Sequence, residues 1–358
     1  MYKRIVVKVG TKVLSADDGM LDGGVLRHLV KQIGDLKQKG VDVVLVTSGA
    51  VGAGRGLITL KQVDMLAKKQ VFAAVGQVKL MSMYADAFAK TGRLCAQVLA
   101  TKEDFRDKTH YFNMQTCFQN LLSSGVVPIV NENDVVATTE LLFTDNDELA
   151  GLVASQLHAD AVVILTSVEG FLMDDRASGK EKVVSEIDLD VLGNYERYIS
   201  PTKTDFGRGG MLTKFAIARK LTLQGIPVHI ANGKRKNVLL DIIDGKAVGT
   251  KFLARGRSSS VKRRIAYSEG LAKGFVKVNK CAEELLRSKE RAISLLPVGV
   301  VAVGGDFDKG DIIEITGEKK RVLGFGIAEY GAERAKELLG KKNARCIIHY
   351  DHMFIDHS

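Results

Sequence analysis

Short, nearly unbroken apolar runs alternate with longer stretches of helical spacing through the first 254 residues of the chain. The runs are Ile5-Val6-Val7, Val41 to Val46, Leu94 to Leu99, Val126 to Val130, Ala161 to Leu165 and Val228 to Ile230. β-Branched runs with little polar alternation suit strands covered on both faces, as in a parallel sheet. Between them, Val25, Leu26, Leu29, Val30, Ile33 and Leu36 fall on one helical face, which Gly40 ends. Lys61 to Ala89, Phe105 to Leu122, Asn146 to Leu157 and Phe215 to Leu223 carry similar spacing. The alternation predicts an α/β protein, a three-layer α/β/α fold on a mainly parallel sheet with right-handed crossovers. Pro128 cannot donate to a ladder, so the start of its strand is expected to be unpaired or at an edge.

The pattern changes after Ala254. Arg255 to Arg264 is polar and basic without apolar periodicity, and reads as an exposed connection. Beyond it, Gly299 to Gly304, Asp311 to Thr316, Val322 to Ile327 and Cys346 to Tyr350 are short runs separated by Gly, Asp and Lys. They predict a small β-rich domain with helices near Ala282 to Lys289 and Ala332 to Leu339. The expected organisation is a catalytic domain over 1–254, a basic linker over 255–268 and a second domain over 269–358.

Composition narrows the class. With 358 residues, 46% hydrophobic and 26% charged, the chain falls among ordinary globular proteins. No apolar run approaches the roughly 18 residues of a membrane span. The apolar stretch before Gly10 is too short for a signal peptide, so a cytoplasmic protein without a membrane partner is expected. Four scattered cysteines form no C-x-x-C pair and indicate neither a zinc site nor a disulfide framework. The net charge of +10 raises nucleic acid as a partner. Its distribution argues against that. Residues 255–358 carry 20 basic and 14 acidic side chains, and five of the basic ones lie in Arg255 to Arg264. The β-rich domain is left nearly neutral, where an RNA-binding module needs a basic face of its own.

The chemistry gathers in four turns that follow predicted strands, at the edge where open α/β sheets bind ligands. There is no Walker loop, and Gly52-Ala-Gly54-Arg-Gly56 falls short of a dinucleotide fingerprint. The first turn is Lys8-Val-Gly10-Thr11-Lys12, a lysine at a strand end followed by a glycine that lets amides approach an anion. The second is Thr47-Ser48-Gly49 through Gly56, read as hydroxyls and exposed amides suited to a carboxylate or phosphate. The third joins Asn131-Glu-Asn-Asp134 to Thr144-Asp-Asn-Asp-Glu148. Its acids sit inside a stretch from Thr109 to Asp175 that holds ten Asp and Glu but no Lys or Arg. Solvated faces mix signs, so this asymmetry points to a ligand or metal site rather than to N-caps and Asx-turns alone. The fourth is Gly207 to Lys214, glycines entering a helix whose free N–H groups and dipole favour an anion. Separated lysines, an acidic cluster and a glycine-rich helix start describe phosphoryl transfer to a small amino-acid-like acceptor.

In order and wording, Lys8-Val-Gly10, Thr47-Ser-Gly-Ala-Val-Gly52, Ala73-Ala-Val-Gly-Gln77, Asn131-Glu-Asn-Asp134, Asp145-Asn-Asp147, Gly209-Gly-Met-Leu-Thr-Lys214, Gly249-Thr250 and Ser294-Leu-Leu-Pro-Val-Gly299 resemble the bacterial glutamate 5-kinase group of the amino acid kinase family, whose members carry a C-terminal PUA domain. The resemblance spans nearly the whole chain. It implies transfer of the γ-phosphoryl of ATP, with Mg²⁺ carried on the nucleotide and no separate protein metal site, to the side-chain carboxylate of L-glutamate, opening proline biosynthesis. It implies Lys8 and Lys214 as electrostatic catalysts oriented by Asp147 and Asp145. Ser48, Asp134 and Asn146 match glutamate-binding positions. Lys8, Thr166, Ser167, Arg208, Gly209, Gly210, Met211, Leu212, Thr213 and Lys214 match nucleotide-binding ones. A homodimer or homotetramer, and a glutamyl phosphate reductase as partner, are further implications.

The chain departs from the family at Thr166-Ser167, where Thr-Asp is usual, at Gly170-Phe-Leu-Met with Asp174-Asp-Arg176, and at Arg208 in the glycine loop. The missing carboxylate at Ser167 puts nucleotide affinity or base preference in question, and Arg208 adds a guanidinium able to meet phosphate. Competing readings are an acetylglutamate or aspartate kinase, a catalytically dead regulatory homologue, and an RNA-binding protein.

Overall fold

The computed structural model describes residues 2–16, 19–61, 64–136, 145–175, 180–189, 210–254, 272–288, 293–317 and 321–355. They belong to two compact units, Met1–Thr101 with Met114–Gly256, and Lys102–Asn113 with Arg257–Ser358. The expected linker over 255–268 lies outside the described residues.

In the first unit the apolar runs become strands. The order along the chain is β1 (Arg4–Val9), α1 (Thr11–Leu14), α2 (Gly23–Gln38), β2 (Asp42–Thr47), α3 (Ala50–Arg55), α4 (Met65–Ala89) and β3 (Cys95–Ala100). After α5 (Lys102–Arg106), which is counted in the second unit, and α6 (Lys108–Ser123) come β4 (Val127–Glu132), α7 (Asn146–Leu157), β5 (Ala161–Thr166), β6 (Leu172–Asp175), β7 (Lys180–Val183) and β8 (Glu186–Ile187). α8 (Met211–Leu223), β9 (Val228–Asn232), α9 (Val238–Ile243) and β10 (Thr250–Phe252) complete it.

Eight strands form one sheet in the order β3-β4-β2-β1-β5-β9-β10-β8, while β6 and β7 form a separate hairpin. All sheet pairings are parallel except β9 with β10. The unbroken runs are explained by burial on both faces. Ile5, Val7 and Val9 of β1 join Val43 and Leu45 of β2 in a core with Leu29, Ile33, Tyr84 and Phe88 from α2 and α4. The alternate residues of β1, Val6 and Lys8, lie on the opposite face. β1 is thus central, with Lys8 in register with Val46 on one side and Ile164 on the other.

Helix starts follow their caps. The Asp22 carboxylate accepts from the Gly24 and Val25 amides, and that of Asp64 from Leu66 and Ala67. Asp64 sets the start of α4 four residues after the periodicity alone placed it. Pro128 is not at an edge, since β4 lies between β3 and β2. Its effect is local: β4 pairs with β3 from Val127 onward but with β2 only at Ile129 and Val130.

The second unit contains a five-stranded sheet in the order β12-β11-β13-β14-β15, built from β11 (Gly274–Val278), β12 (Val300–Gly305), β13 (Ile312–Thr316), β14 (Val322–Ala328) and β15 (Ile348–Ile355). Its helices are α10 (Lys280–Arg287) and α11 (Ala332–Leu338). Val276, Val278, Ile313, Ile315 and Leu323 pack with Leu286, Ala332 and Ala335 in its core. Arg106 of α5 belongs to this unit and donates from Nη2 to the Ala272 carbonyl at 2.9 Å.

Candidate active site

The chemistry-bearing side chains of the first unit meet at the carboxyl ends of β1, β2 and β4, with the N-termini of α7 and α8 above them. Lys8 leaves the central strand on the face opposite the α2–α4 core, and a charge there needs a partner. Asp147, in the first turn of α7, provides it: Lys8 Nζ lies 2.7 Å from Oδ1 and Lys214 Nζ 3.0 Å from Oδ2. Lys214 reaches this point from the first turn of α8, whose N-cap is Gly210. One carboxylate thus bridges two ammonium groups, and all three side chains are buried.

Burial by itself would raise the Asp147 pKa, but the Lys8 and Lys214 charges outweigh it and hold the carboxyl below its usual range. Asp145 goes the other way. Burial, reinforced by the negative charge of Asp147, pushes it up despite both lysines. Its Oδ1 caps α7 by accepting from the Asp147 and Glu148 amides at 2.8 and 3.1 Å. Its Oδ2 is buried with no hydrogen-bond partner among the described residues. The N-cap reading of Asp145 is thus met by Oδ1, and Oδ2 is the oxygen left over for a ligand.

Asn146 ties the helix to the strand ends. Its Nδ2 lies within donating distance of the Thr47 carbonyl (2.7 Å), Asn131 Oδ1 (2.9 Å) and Ser48 Oγ (3.0 Å). Asn131 is held in turn, donating to Gln77 Oε1 of α4 at 2.9 Å. Thr47 Oγ1 meets the buried Tyr84 hydroxyl at 2.8 Å. Three residues past Asn131, Asp134 pairs with Lys69 of α4 at 2.5 Å, and Gln70 Nε2 donates to the Val135 carbonyl at 2.9 Å.

The structure therefore brings Lys8, Lys214, Asp145, Asp147, Asn146 and Ser48 into one constellation. Thr166 ends β5, and Ser167 follows it exposed on the turn. Gly210, Met211, Leu212 and Thr213 open α8, where Thr213 Oγ1 donates to the Gly210 carbonyl at 2.7 Å. Arg208 and Gly209 lie outside the described residues. The second glycine turn is corrected. After Ser48, Gly49 takes a left-handed φ of 111° that turns the chain into α3, and Gly54 serves packing rather than an open anion cradle. A Cβ on Gly54 would stand 2.0 Å from the Phe72 carbonyl oxygen, and one on Gly76 1.8 Å from that of Ala50. Sequence reasoning did not single out Lys69 or Tyr84, and Gln77 entered only as the last residue of a motif shared with the family. A signal was present: Gln70 and Gln77 are seven residues apart, on one face of a largely apolar helix.

The amino acid kinase family model matches residues 3–232, and a PUA domain model matches 274–350. This chain belongs to the amino acid kinase family. The first unit carries that family's fold on its mainly parallel sheet, and the C-terminal β-rich sheet corresponds to the PUA domain. Among its relatives, a protein of Chlorobaculum tepidum named "Glutamate 5-kinase" is 51% identical over 356 residues, 99% of this chain and 98% of that one. A protein of the same name from Bacteroides thetaiotaomicron is 43% identical over 359 residues, 99% of both chains. A third, from Thermoanaerobacter sp., is 38% identical over 351 residues, 95% of this chain and 91% of that one. Among the described residues of this kinase no helix is long and apolar enough to cross a membrane.

Proposed function

We propose that this amino acid kinase transfers the γ-phosphoryl group of ATP to the side-chain carboxylate of L-glutamate, giving L-glutamyl 5-phosphate and ADP in the first step of proline biosynthesis. The buried Lys8–Asp147–Lys214 bridge supports this reading most directly, in a chain whose relatives carry that name over nearly their full length. An oxygen of the glutamate side chain attacks the γ-phosphorus, the bond to the β,γ-bridging oxygen breaks, and ADP takes the electron pair. The acceptor is ionised at neutral pH and needs no general base.

The burden on the protein is electrostatic. Charge spreads over the transferring group in a loose transition state, and preorganised cations stabilise it. Lys8 and Lys214 serve as those cations. Asp147 keeps them aimed, and Asp145 fixes the helix start that carries Asp147. Ser48, Asn146 and Asp134 bind glutamate, while Thr166, Ser167 and the segment Arg208 to Lys214 bind the nucleotide. Mg²⁺ would be held by the ATP phosphates and by Asp145, whose buried Oδ2 is without a hydrogen-bond partner among the described residues, and would neutralise phosphate charge. The product is an acyl phosphate prone to hydrolysis, which fits consumption by a glutamyl phosphate reductase. We place the enzyme in the cytoplasm as a homodimer or homotetramer.

A coupled ADP-release assay with L-glutamate, N-acetylglutamate and L-aspartate, with hydroxylamine trapping of the acyl phosphate, tests the assignment. Turnover and hydroxamate are expected with glutamate. Lys8→Ala and Lys214→Ala should each lower kcat by about 10²- to 10³-fold. No turnover with glutamate, or unchanged rates in both variants, would overturn it.

A further inference from the structure

The Lys69–Asp134 pair is a charge pattern that the phosphoryl chemistry leaves unused. Asp134 lies on the loop after β4, and Lys69 reaches it from α4 to within 2.5 Å. The loop is pinned on both sides of Asp134, since the Asn133 amide donates to the Ala100 carbonyl at 2.9 Å and the Val135 carbonyl accepts from Gln70 at 2.9 Å. The same helix holds Asn131 through Gln77, so α4 runs alongside both the Asn146 hub and the ion pair.

A partly exposed ion pair adds little stability, about 0–1 kcal/mol. Its value as a receptor is different. This rests on the proposed reading that Asp134 binds glutamate: as a carboxylate it would take the α-ammonium group, a step that displaces Lys69 from it. An acceptor bearing only an ammonium group would leave Lys69 without its counter-charge. An α-amino acid brings an ammonium and a carboxylate on one carbon, about as far apart as Lys69 and Asp134 are. It exchanges one ion pair for two charge-assisted contacts on groups whose loop is already fixed.

We propose that Lys69 is a further substrate-binding residue: it takes the α-carboxylate of the acceptor while Asp134 takes the α-ammonium, so that the pair selects a free α-amino acid zwitterion. Lys69 accordingly sets acceptor specificity and does not touch the transferring phosphoryl group.

The test compares L-glutamate with L-isoglutamine, which keeps the ammonium and the side-chain carboxylate but has a neutral α-carboxamide. KM for glutamate and the competitive inhibition constant of isoglutamine are measured for the wild type, Lys69→Met and Lys69→Arg. The wild type should favour glutamate by about tenfold or more. Lys69→Met should bring the two within about threefold, chiefly by raising KM for glutamate, and Lys69→Arg should restore most of the preference because it restores the charge. If Lys69 only props the Asp134 loop, Lys69→Met weakens both compounds equally and their ratio stays put, which overturns the proposal. A wild type that binds both alike, or a Lys69→Met variant that still rejects isoglutamine, also overturns it. A wild type that never phosphorylates glutamate refutes the parent reading instead, so the two failures are distinct.

Discussion

Replacing Asp147 with Asn is the most demanding perturbation of the site, because it keeps the shape of the side chain and removes the one negative charge that two buried lysines share. Lys8 Nζ and Lys214 Nζ stand 2.7 and 3.0 Å from its two oxygens. Across the carboxylate the two ammonium groups are at most about 8 Å apart, which at an effective dielectric constant of about 20 is a repulsion of at least about 2 kcal/mol. In the wild type the carboxylate more than offsets this. Removing one member of a buried ionic cluster costs about 3–5 kcal/mol, because the remaining charges stay desolvated and unpaired. For a unit of this size that corresponds to a fall in Tm of roughly 6–20 °C.

The kinetic consequence has its own signature. With the two lysines no longer aimed, transition-state stabilisation should drop by about 3–4 kcal/mol, or about 10²- to 10³-fold in kcat. ATP supplies the missing negative charge and should therefore raise the Tm of the variant more than that of the wild type. Differential scanning fluorimetry with and without ATP and a steady-state rate assay read these effects. A variant with kcat within threefold of the wild type and a Tm within about 2 °C would refute the bridging role.

Two further outcomes test the frame around the site. His229 is buried beside Tyr2, whose hydroxyl lies 3.0 Å from Nε2. Burial, with the Lys251 charge adding to it, pushes its pKa down to about 4. The ring is neutral in the folded state and gains a proton on unfolding below about pH 6.5, so its contribution is present above that value and lost as pH falls toward 4. From pH 7 to pH 5 the wild type should lose about 2 kcal/mol more than His229→Leu in urea titrations, and equal losses would remove His229 as the cause. Gly76→Ala would place a Cβ 1.8 Å from the Ala50 carbonyl oxygen and should cost about 1–3 kcal/mol or more by forcing α3 off α4, with KM for glutamate rising because Ala50 follows Ser48 by two residues. Gly52→Ala, whose Cβ would meet nothing closer than 3.9 Å, is the neutral control, and equal behaviour of the two in thermal melts would discard the packing account.

The parts of the fold readable from sequence are those where burial on both faces or a cap leaves one solution. β5 extends the run Ala161 to Leu165 by a single residue, and α7 spans Asn146–Leu157 as its periodicity predicts, because Asp145 caps it. Short or polar elements left no comparable signal. β10 has only three residues, Thr250–Phe252, too few for periodicity to register. It is fixed instead by tertiary partners: it pairs with β9 and β8, and the Thr250 hydroxyl accepts from the Phe171 amide at 2.7 Å. β11, Gly274–Val278, begins with Gly and contains Lys277, yet it lies inside its sheet between β12 and β13. Such segments take their conformation from neighbouring strands, so periodicity along one chain cannot find them.

The site was legible for a different reason, and so was its gap. A stretch from Thr109 to Asp175 with ten acids and no Lys or Arg cannot neutralise its buried carboxylates from within, so any cation that does must come from a distant part of the chain. Three lysines do so. Lys8 comes from β1 and Lys214 from the start of α8, both to Asp147, and Lys69 comes from α4 to Asp134. Lys8 and Lys214 stood in glycine turns after strands, where an anion site is expected, and could be picked out on that ground. Lys69 stood inside a long helix next to Lys68, where a charged residue is ordinarily a solvated one. What separates it from its neighbour is which turn of α4 lies over the loop after β4. That depends on the crossing of α4 over the sheet, set in part by the close approach of Gly54 and Gly76, a contact between segments that no local pattern records.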